Sequence, residues 1–337
     1  MTLNDHMMNP AFGNILIAPE SVVMIQKPEE TYKPPLVIYH GNCADGFSAA
    51  WVFWQHAMKE DLKYEFHAGV YGKHDYPDVT GKIVYLVDFS YSLEEVQKML
   101  KKARMVILID HHKTAIESLS ILGNPSAKLY DKRFKMYTDL ERSGAMLAWD
   151  FLYNIEYDWE TIPVTSAAYI HPPRLLEHVQ DRDLWKFKLP QTRDVSANLF
   201  SYGYTFENWD RLMKMNVTDT LHFSSAGAAI ERKHFKDIKE LLKLCKRPMN
   251  IGGYLVPVAS IPYTMSSDAG AIMAGEFEDG TKFAACYIDT AMERIFSLRS
   301  VQGAGLDVSL IAKEYGGGGH KHAAGFKVPR DHILARN

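Results

Sequence analysis

Three short apolar runs rich in β-branched residues, LVIY at 36–39, KIVYLVD at 82–88 and MVILID at 105–110, each lead directly into acidic or imidazole side chains. Between them lie segments of helical spacing, GFSAAWVFWQHA at 46–57 and SLEEVQKMLKKA at 92–103. Apolar runs of this length read as strands buried on both faces, and their alternation with helices is the βαβ pattern of a parallel sheet. Ser92, followed by Glu95, marks the start of the second helix. The carboxyl edge of such a sheet collects His40, Asp45, Asp88, Asp110, His111 and His112. Open α/β sheets bind their ligands at that edge. Grouping so many charges there is costly unless something compensates, and divalent cations suit Asp and neutral His together. The expectation is a dinuclear hydrolytic site.

The chain continues with a third helix over 144–154 and Pro-punctuated helices to about residue 180. A long amphipathic stretch at 224–246, stopping before Pro248, reads as a connecting helix. Short strands follow at 254–260, 282–289 and 294–300, then a helix at 307–315. At 337 residues the chain exceeds the length at which single cores stop growing, so two lobes are expected. The boundaries predicted are an N-terminal extension over 1–35, a parallel-sheet domain with helices on both faces over 36–222, a connecting helix over 223–248, and a smaller mixed α/β domain over 249–337. Lys and Arg number 38 against 41 Asp and Glu, which argues against a broad basic face for duplex nucleic acid. Three cysteines, no apolar run of membrane length and no basic, apolar leader predict a cytoplasmic protein without a disulfide framework.

The C-terminal stretch EYGGGGHKHAAGFKV, 314–328, brings four glycines before His320 and His322. Glycines let backbone N–H groups approach an anion, and the flanking histidines can bind phosphate or carboxylate. Arg299, ending the strand-like FSLR, is a second candidate anion clamp because guanidinium forks onto phosphate oxygens.

Taken in order, YHGNCADGFSAAW (39–51), YLVDFS (85–90), ILIDHHKT (107–114), EHVQDRDLW (177–185), FSLRS (296–300) and GGGGHKHAAGF (316–326) resemble the motifs of the DHH phosphoesterase family with its C-terminal DHH-associated domain. That family includes nanoRNases, phosphodiesterases of small nucleotides, RecJ-type exonucleases and certain pyrophosphatases. The resemblance implies that His40 and Asp88 hold one metal, and that Asp45, Asp88, His111 and Asp181 hold the second, with Asp88 bridging. It picks Asp181 from the acid-rich QDRD, Asp183 being the competing choice. Asp110 would orient an imidazole and His112 would lie near the substrate phosphate. Gly317, Gly318, Gly319, His320, His322 and Arg299 would hold the substrate.

The first motif departs from the family pattern, which usually reads His, three residues, Asp, one residue, Asp. Here His40 is followed by two residues, then Cys43, Ala44 and Asp45, so that Cys43 stands in place of an Asp. Two divalent ions are expected, Mn²⁺ foremost, with Zn²⁺ or Fe²⁺ favoured should the Cys43 thiolate bind directly. The activity implied is hydrolysis of short oligonucleotides or small nucleotides by a metal-activated hydroxide. The alternatives are a RecJ-type exonuclease, a pyrophosphatase, or a nucleotide-binding sensor whose altered motif has lost turnover. No membrane and no duplex partner is expected, and the oligomeric state stays open between monomer and homodimer.

Overall fold

The computed structural model describes residues 33–336 apart from His74, 157–163, 166–168 and 277–282. The extension predicted over 1–35 therefore falls, as far as residue 32, outside the described residues. Strands β1 (Leu36–His40), β2 (Glu65–Gly69), β3 (Ile83–Val87), β4 (Met105–Asp110) and β5 (Phe134–Thr138) form an all-parallel sheet in the order β2-β1-β3-β4-β5. The strands are joined through α1 (Ala44–Glu60), α2 (Leu93–Leu100) and α3 (Lys113–Gly123), and α4 (Gly144–Trp149) follows β5.

Alternate strand residues feed opposite faces, as a period of two requires. Val37, Tyr85, Val87, Ile107 and Ile109 join a core with Phe53 of α1 and Leu147 of α4. Leu36, Ile38, Val84, Leu86, Val106 and Leu108 join a second core with Met99 of α2 and Leu119 of α3. Both faces are covered, which is why the strands read as unbroken apolar runs. The chain direction across the sheet reverses at β1 and β3, and the carboxyl ends of strands at such a switch point form the ligand crevice.

After α4 the chain makes a π-helical turn at Asp150–Asn154 and a two-stranded ladder of β6 (Ile155–Glu156) and β7 (Val164–Thr165). Helices α5 (Arg174–Asp183), α6 (Thr192–Leu199) and α7 (Phe206–Met213) complete this lobe. Trp209 of α7 is fully buried, and its indole N–H donates to Ser48 Oγ at 2.9 Å. The connecting helix α8 (Val217–Cys245) begins earlier than its apolar spacing suggested. Its start is fixed by a capping box, with Asp219 N donating to Asn216 Oδ1 at 2.9 Å and Asn216 N donating to Asp219 Oδ2 at 3.1 Å.

The second lobe is a six-stranded mixed sheet built from β8 (Arg247–Ile251), β9 (Tyr254–Ser260), β10 (Phe283–Asp289), β11 (Glu293–Ser300), β12 (Gly318–His320) and β13 (Ala323–Pro329), in the order β12-β13-β11-β10-β9-β8. Only β9 and β10 run parallel; the other neighbours are antiparallel. Helix α9 (Ser266–Gly275) packs with α8 in one core, while α10 (Val308–Glu314) and α11 (Ile333–Arg336) close the other. Among the described residues no helix is long and apolar enough to cross a membrane.

The two lobes close on each other through polar ties. Lys113 Nζ meets Asp307 Oδ2 at 2.6 Å, and Gly319 N donates to Thr114 Oγ1 at 3.2 Å. The strongest tie is Asp268 of α9, which accepts from Arg182 at 2.8 Å and Arg193 at 3.0 Å and lies 3.1 Å from His234 Nε2. Burial alone would raise the Asp268 carboxyl, but His234 and the two guanidinium groups hold it well below the usual carboxylate range. A depressed folded-state pKa gives stability that is fully present above the unfolded value of ~3.9 and is lost as pH falls below it. Asp268→Asn is expected to lower stability by about 3 kcal/mol at neutral pH, because the enclosed Arg182 guanidinium loses its counter-charge, while the more exposed Arg193 keeps Glu231. Small-angle scattering should show the lobes separating in this variant, and in the parent protein as pH drops below ~4. Unchanged scattering in both would mean that the other ties suffice.

Candidate metal centre and substrate cavity

His40 ends β1, Asp88 follows β3, and Asp110 ends β4 with His111 following it, so three neighbouring parallel strands deliver their side chains to one edge. Asp45 comes from the first turn of α1 and faces the start of α4, where Gly144 N and Ala145 N donate to its carboxylate at 2.6 and 3.2 Å. An anion at a helix N-terminus is favoured by both the free N–H groups and the dipole. Asp88 has φ of +52°, a left-handed conformation that turns its carboxylate back over the strand ends. Gly144 makes that position accessible: a Cβ there would lie 2.4 Å from Asp88 Cβ. The sequence reading missed Gly144 and its capping neighbour Ser143, whose Oγ accepts from Met146 N.

The two Asp88 oxygens look in different directions. Oδ1 lies 3.1 Å from His111 Nε2, and Oδ2 lies 3.5 Å from His40 Nδ1. His111 Nε2 also lies 3.8 Å from Asp45 Oδ2 and 3.4 Å from Asp183 Oδ2. Among the described residues four overlapping groups of ligand atoms result, each within 4.8 Å: His40 with Cys43 and Asp88; Asp45 with His111 and Asp183; Asp88 with Asp110, His111 and His112; and His111 with His112 and His320. Asp88 Oδ2, Asp110 Oδ2 and His111 Nδ1 are buried and find no hydrogen-bond partner among the described residues. Unpartnered buried polar atoms are rare, and three around one cluster of oxygen and nitrogen donors fit the coordination chemistry of divalent cations.

The charge states point the same way. Burial raises Asp45 well above the usual carboxylate range, with Asp183 and Asp88 adding repulsion. Asp183 is likewise raised by its enclosure in the cleft and by Asp88, against the pull of His111. Asp88 is held far down: its burial is outweighed by His111 and His40. For His111, burial would lower the imidazole, yet Asp88, Asp183 and Asp45 raise it to about 10. Protein without bound cations therefore carries a proton on His111 at neutral pH, and a metal must displace it. Metal affinity is expected to rise with pH across the neutral range, with proton release on binding. Calorimetric titration with Mn²⁺ in buffers of different ionisation enthalpy would reveal this, and identical heats in all buffers would rule it out.

Asp181 does not join the cluster. Its carboxylate accepts from Lys188 N at 2.8 Å, Leu189 N at 3.0 Å and Thr192 Oγ1 at 2.6 Å, pinning the turn after α5. Asp183, the competing choice, reaches His111 instead. Cys43 sits at the N-cap of α1 beside His40 and Asp88. Burial pushes its thiol well up, and Asp88, Asp183 and Asp45 add to that. Asp110 Oδ1 accepts from the backbone of His111 and His112 and lies 2.7 Å from His112 Nδ1, fixing that ring. His320 reaches across from β12 and stacks on His112 with centroids 4.3 Å apart. Burial beside His112 and His111 lowers its pKa well below the ordinary imidazole value, so it is neutral at pH 7.

A cavity of about 1220 Å³ lies over the cluster. Asp45, His111 and Asp183 line its floor, and Arg299, His320, Lys321 and His322 line it from the second lobe. Enclosure lowers the Arg299 guanidinium to about 10, which leaves it charged at neutral pH, and it donates to Ser267 Oγ at 2.7 Å and Leu298 O at 2.9 Å. His322 Nδ1 lies 2.8 Å from Ser300 Oγ. Gly317, Gly318 and Gly319 depart from expectation and are not among the cavity-lining residues. Gly318 and Gly319 form the seam instead, Gly318 abutting Thr114 and Gly319 N donating to its Oγ1, whereas Gly317 packs within the second lobe, where a Cβ would fall 2.1 Å from Gly325 O. Trp185, Tyr202, Tyr204 and Tyr263 line the cavity, whereas Trp209 is core.

No protein-family model matches the chain. The chain is 27% identical over 306 residues to the uncharacterized protein R106 of Acanthamoeba polyphaga mimivirus, covering 86% of this chain and 66% of that one. It thus spans just under two thirds of that relative's length. Among solved structures it is similar to RecJ in complex with Mn²⁺ from Thermus thermophilus, at 13% identity and a TM-score of 0.46, covering 87% of this chain and 49% of that one. It is also similar to the pGpG-specific phosphodiesterase PggH from Vibrio cholerae, at 12% identity and a TM-score of 0.36, covering 88% of this chain and 93% of that one.

Proposed function

We propose that this chain is a metal-dependent phosphodiesterase of the DHH class that hydrolyses short oligonucleotides or small nucleotides. The observation that carries the reading is the convergence of Asp45, Asp88 and Asp183 with His40 and His111 beside the cavity between the lobes, with Asp88 turning one oxygen to each histidine. His40, Asp88 and Cys43 would hold one ion, and Asp45, His111, Asp183 and the second Asp88 oxygen the other. Divalent cations there would supply charge neutralisation and Lewis acidity for phosphoryl transfer. The protein's own part is to position: Asp110 fixes the His112 ring, the start of α4 holds Asp45, and Arg299 presents a permanent cation to a phosphate.

The cavity volume of about 1220 Å³ is above the usual range for one drug-sized ligand, which suits more than a single nucleotide. Its closure by a second lobe suits chain ends and small molecules. The test is incubation with dinucleotides, longer single strands, duplex, cyclic dinucleotides and pyrophosphate, with Mn²⁺, Zn²⁺ or chelator. Metal-supported release of mononucleotides from dinucleotides, with duplex resistant, is expected. A second reading, a nucleotide-binding sensor, draws on Cys43, whose neutral thiol is a poorer ligand than a carboxylate. Tight nucleotide binding with no hydrolysis under any metal would favour that reading and sink the first.

A further inference from the structure

Two bulky aromatics beside the candidate metal centre hold a backbone conformation that side chains of their kind avoid. Trp185 has φ of +57° and Phe187 has φ of +48°. For such residues the left-handed region costs of order 1–3 kcal/mol each, and strain of this kind persists only where the surroundings impose it. Here the turn after α5 is pinned by Asp181, whose carboxylate accepts from Lys188 N, Leu189 N and Thr192 Oγ1 and whose carbonyl accepts from Lys186 N and Phe187 N. The result places Trp185, two residues beyond Asp183, on the wall of the substrate cavity.

A guanidinium group lies against each ring. Arg182 Cζ lies 4.3 Å from the Trp185 centroid, and Arg193 Cζ lies 3.9 Å from that of Phe187. Each guanidinium is held in turn by Asp268 of the other lobe, so lobe closure fixes the stack. A planar indole immobilised in this way loses little rotamer freedom when a second ring lies against it.

We propose that Trp185 is a nucleobase-stacking platform, completed when Asp268 locks Arg182 and Arg193. The proposal rests on the nucleotide-hydrolysing reading and names the wall that would hold the base. Stacking on an aromatic face is tolerant of base identity, so the subsite would select for a base without selecting which one.

The test uses the full chain and two probes that differ only in the base, adenosine 5′-monophosphate and ribose 5-phosphate, titrated by calorimetry. The parent protein should bind the nucleotide more tightly. Trp185→Ala should weaken nucleotide binding ~10–100-fold while leaving ribose 5-phosphate binding unchanged, and Trp185→Phe should recover most of the loss. Ribose 5-phosphate binding doubles as the check that the variant is folded. An equal loss for both probes would assign Trp185 to packing, and equal affinity of the parent for both probes would also overturn the platform. Neither probe is a diester, so failure of the parent protein to hydrolyse any phosphodiester would sink the hydrolase reading without touching this result.

Discussion

Asp88→Ala is expected to lose its divalent ions and at least ~10³-fold in hydrolytic rate, because metals supply most of the transition-state charge neutralisation in this chemistry. Asp88 is 1% exposed, with one oxygen 3.1 Å from His111 and the other 3.5 Å from His40, so its removal strips a ligand from both halves of the cluster at once. Asp88→Asn separates charge from shape, since the amide keeps the volume and loses the anion. Metal analysis should find both variants depleted while circular dichroism stays native-like. Two equivalents of metal retained with near-normal hydrolysis would remove Asp88 from the centre.

The second large effect discriminates two neighbouring carboxylates. Asp183→Ala should abolish metal-supported hydrolysis with little change in melting temperature, because Asp183 faces His111 and the cavity and pins no backbone. Asp181→Ala should do the reverse first. It leaves Lys188 N and Leu189 N without their acceptor inside the structure, an expected cost of about 2–3 kcal/mol, and activity would fall only as far as the turn carrying Trp185 loosens. Melting curves and metal content measured side by side decide the assignment. A metal-free, thermally stable Asp181→Ala protein would return the ligand role to Asp181.

Much of the architecture follows from local pattern. The strands at 36–40, 83–87 and 105–110 announce themselves because a sheet covered on both faces demands unbroken apolar runs. β2 and β5 were not legible: EFHAG and FKMYT are interrupted by polar residues and mostly half-buried, because they lie at the two edges of the sheet. The start of α8 was legible in principle through Asn216 and Asp219, but apolar spacing alone misplaced it.

The sequence by itself determined that His40, Asp88, Asp110 and His111 would meet, since parallel strands of like polarity end at one edge and each residue terminates or follows its strand. It could not choose between Asp181 and Asp183. Two residues along a helix turn the side chain by about 200°, so only one of the pair can face the cluster, and the roll of α5 decides which. That roll is set by burying Leu175, Leu176 and Val179 in the core, a contact between segments far apart in the chain. The same holds for the glycine run and for Asp268. A glycine run is compatible with a phosphate cradle or a tight seam, and only the docking of Gly318 and Gly319 on Thr114 made it a seam. An Asp on an ordinary helix became the tie between lobes only because two arginines and a histidine from other elements converge on it.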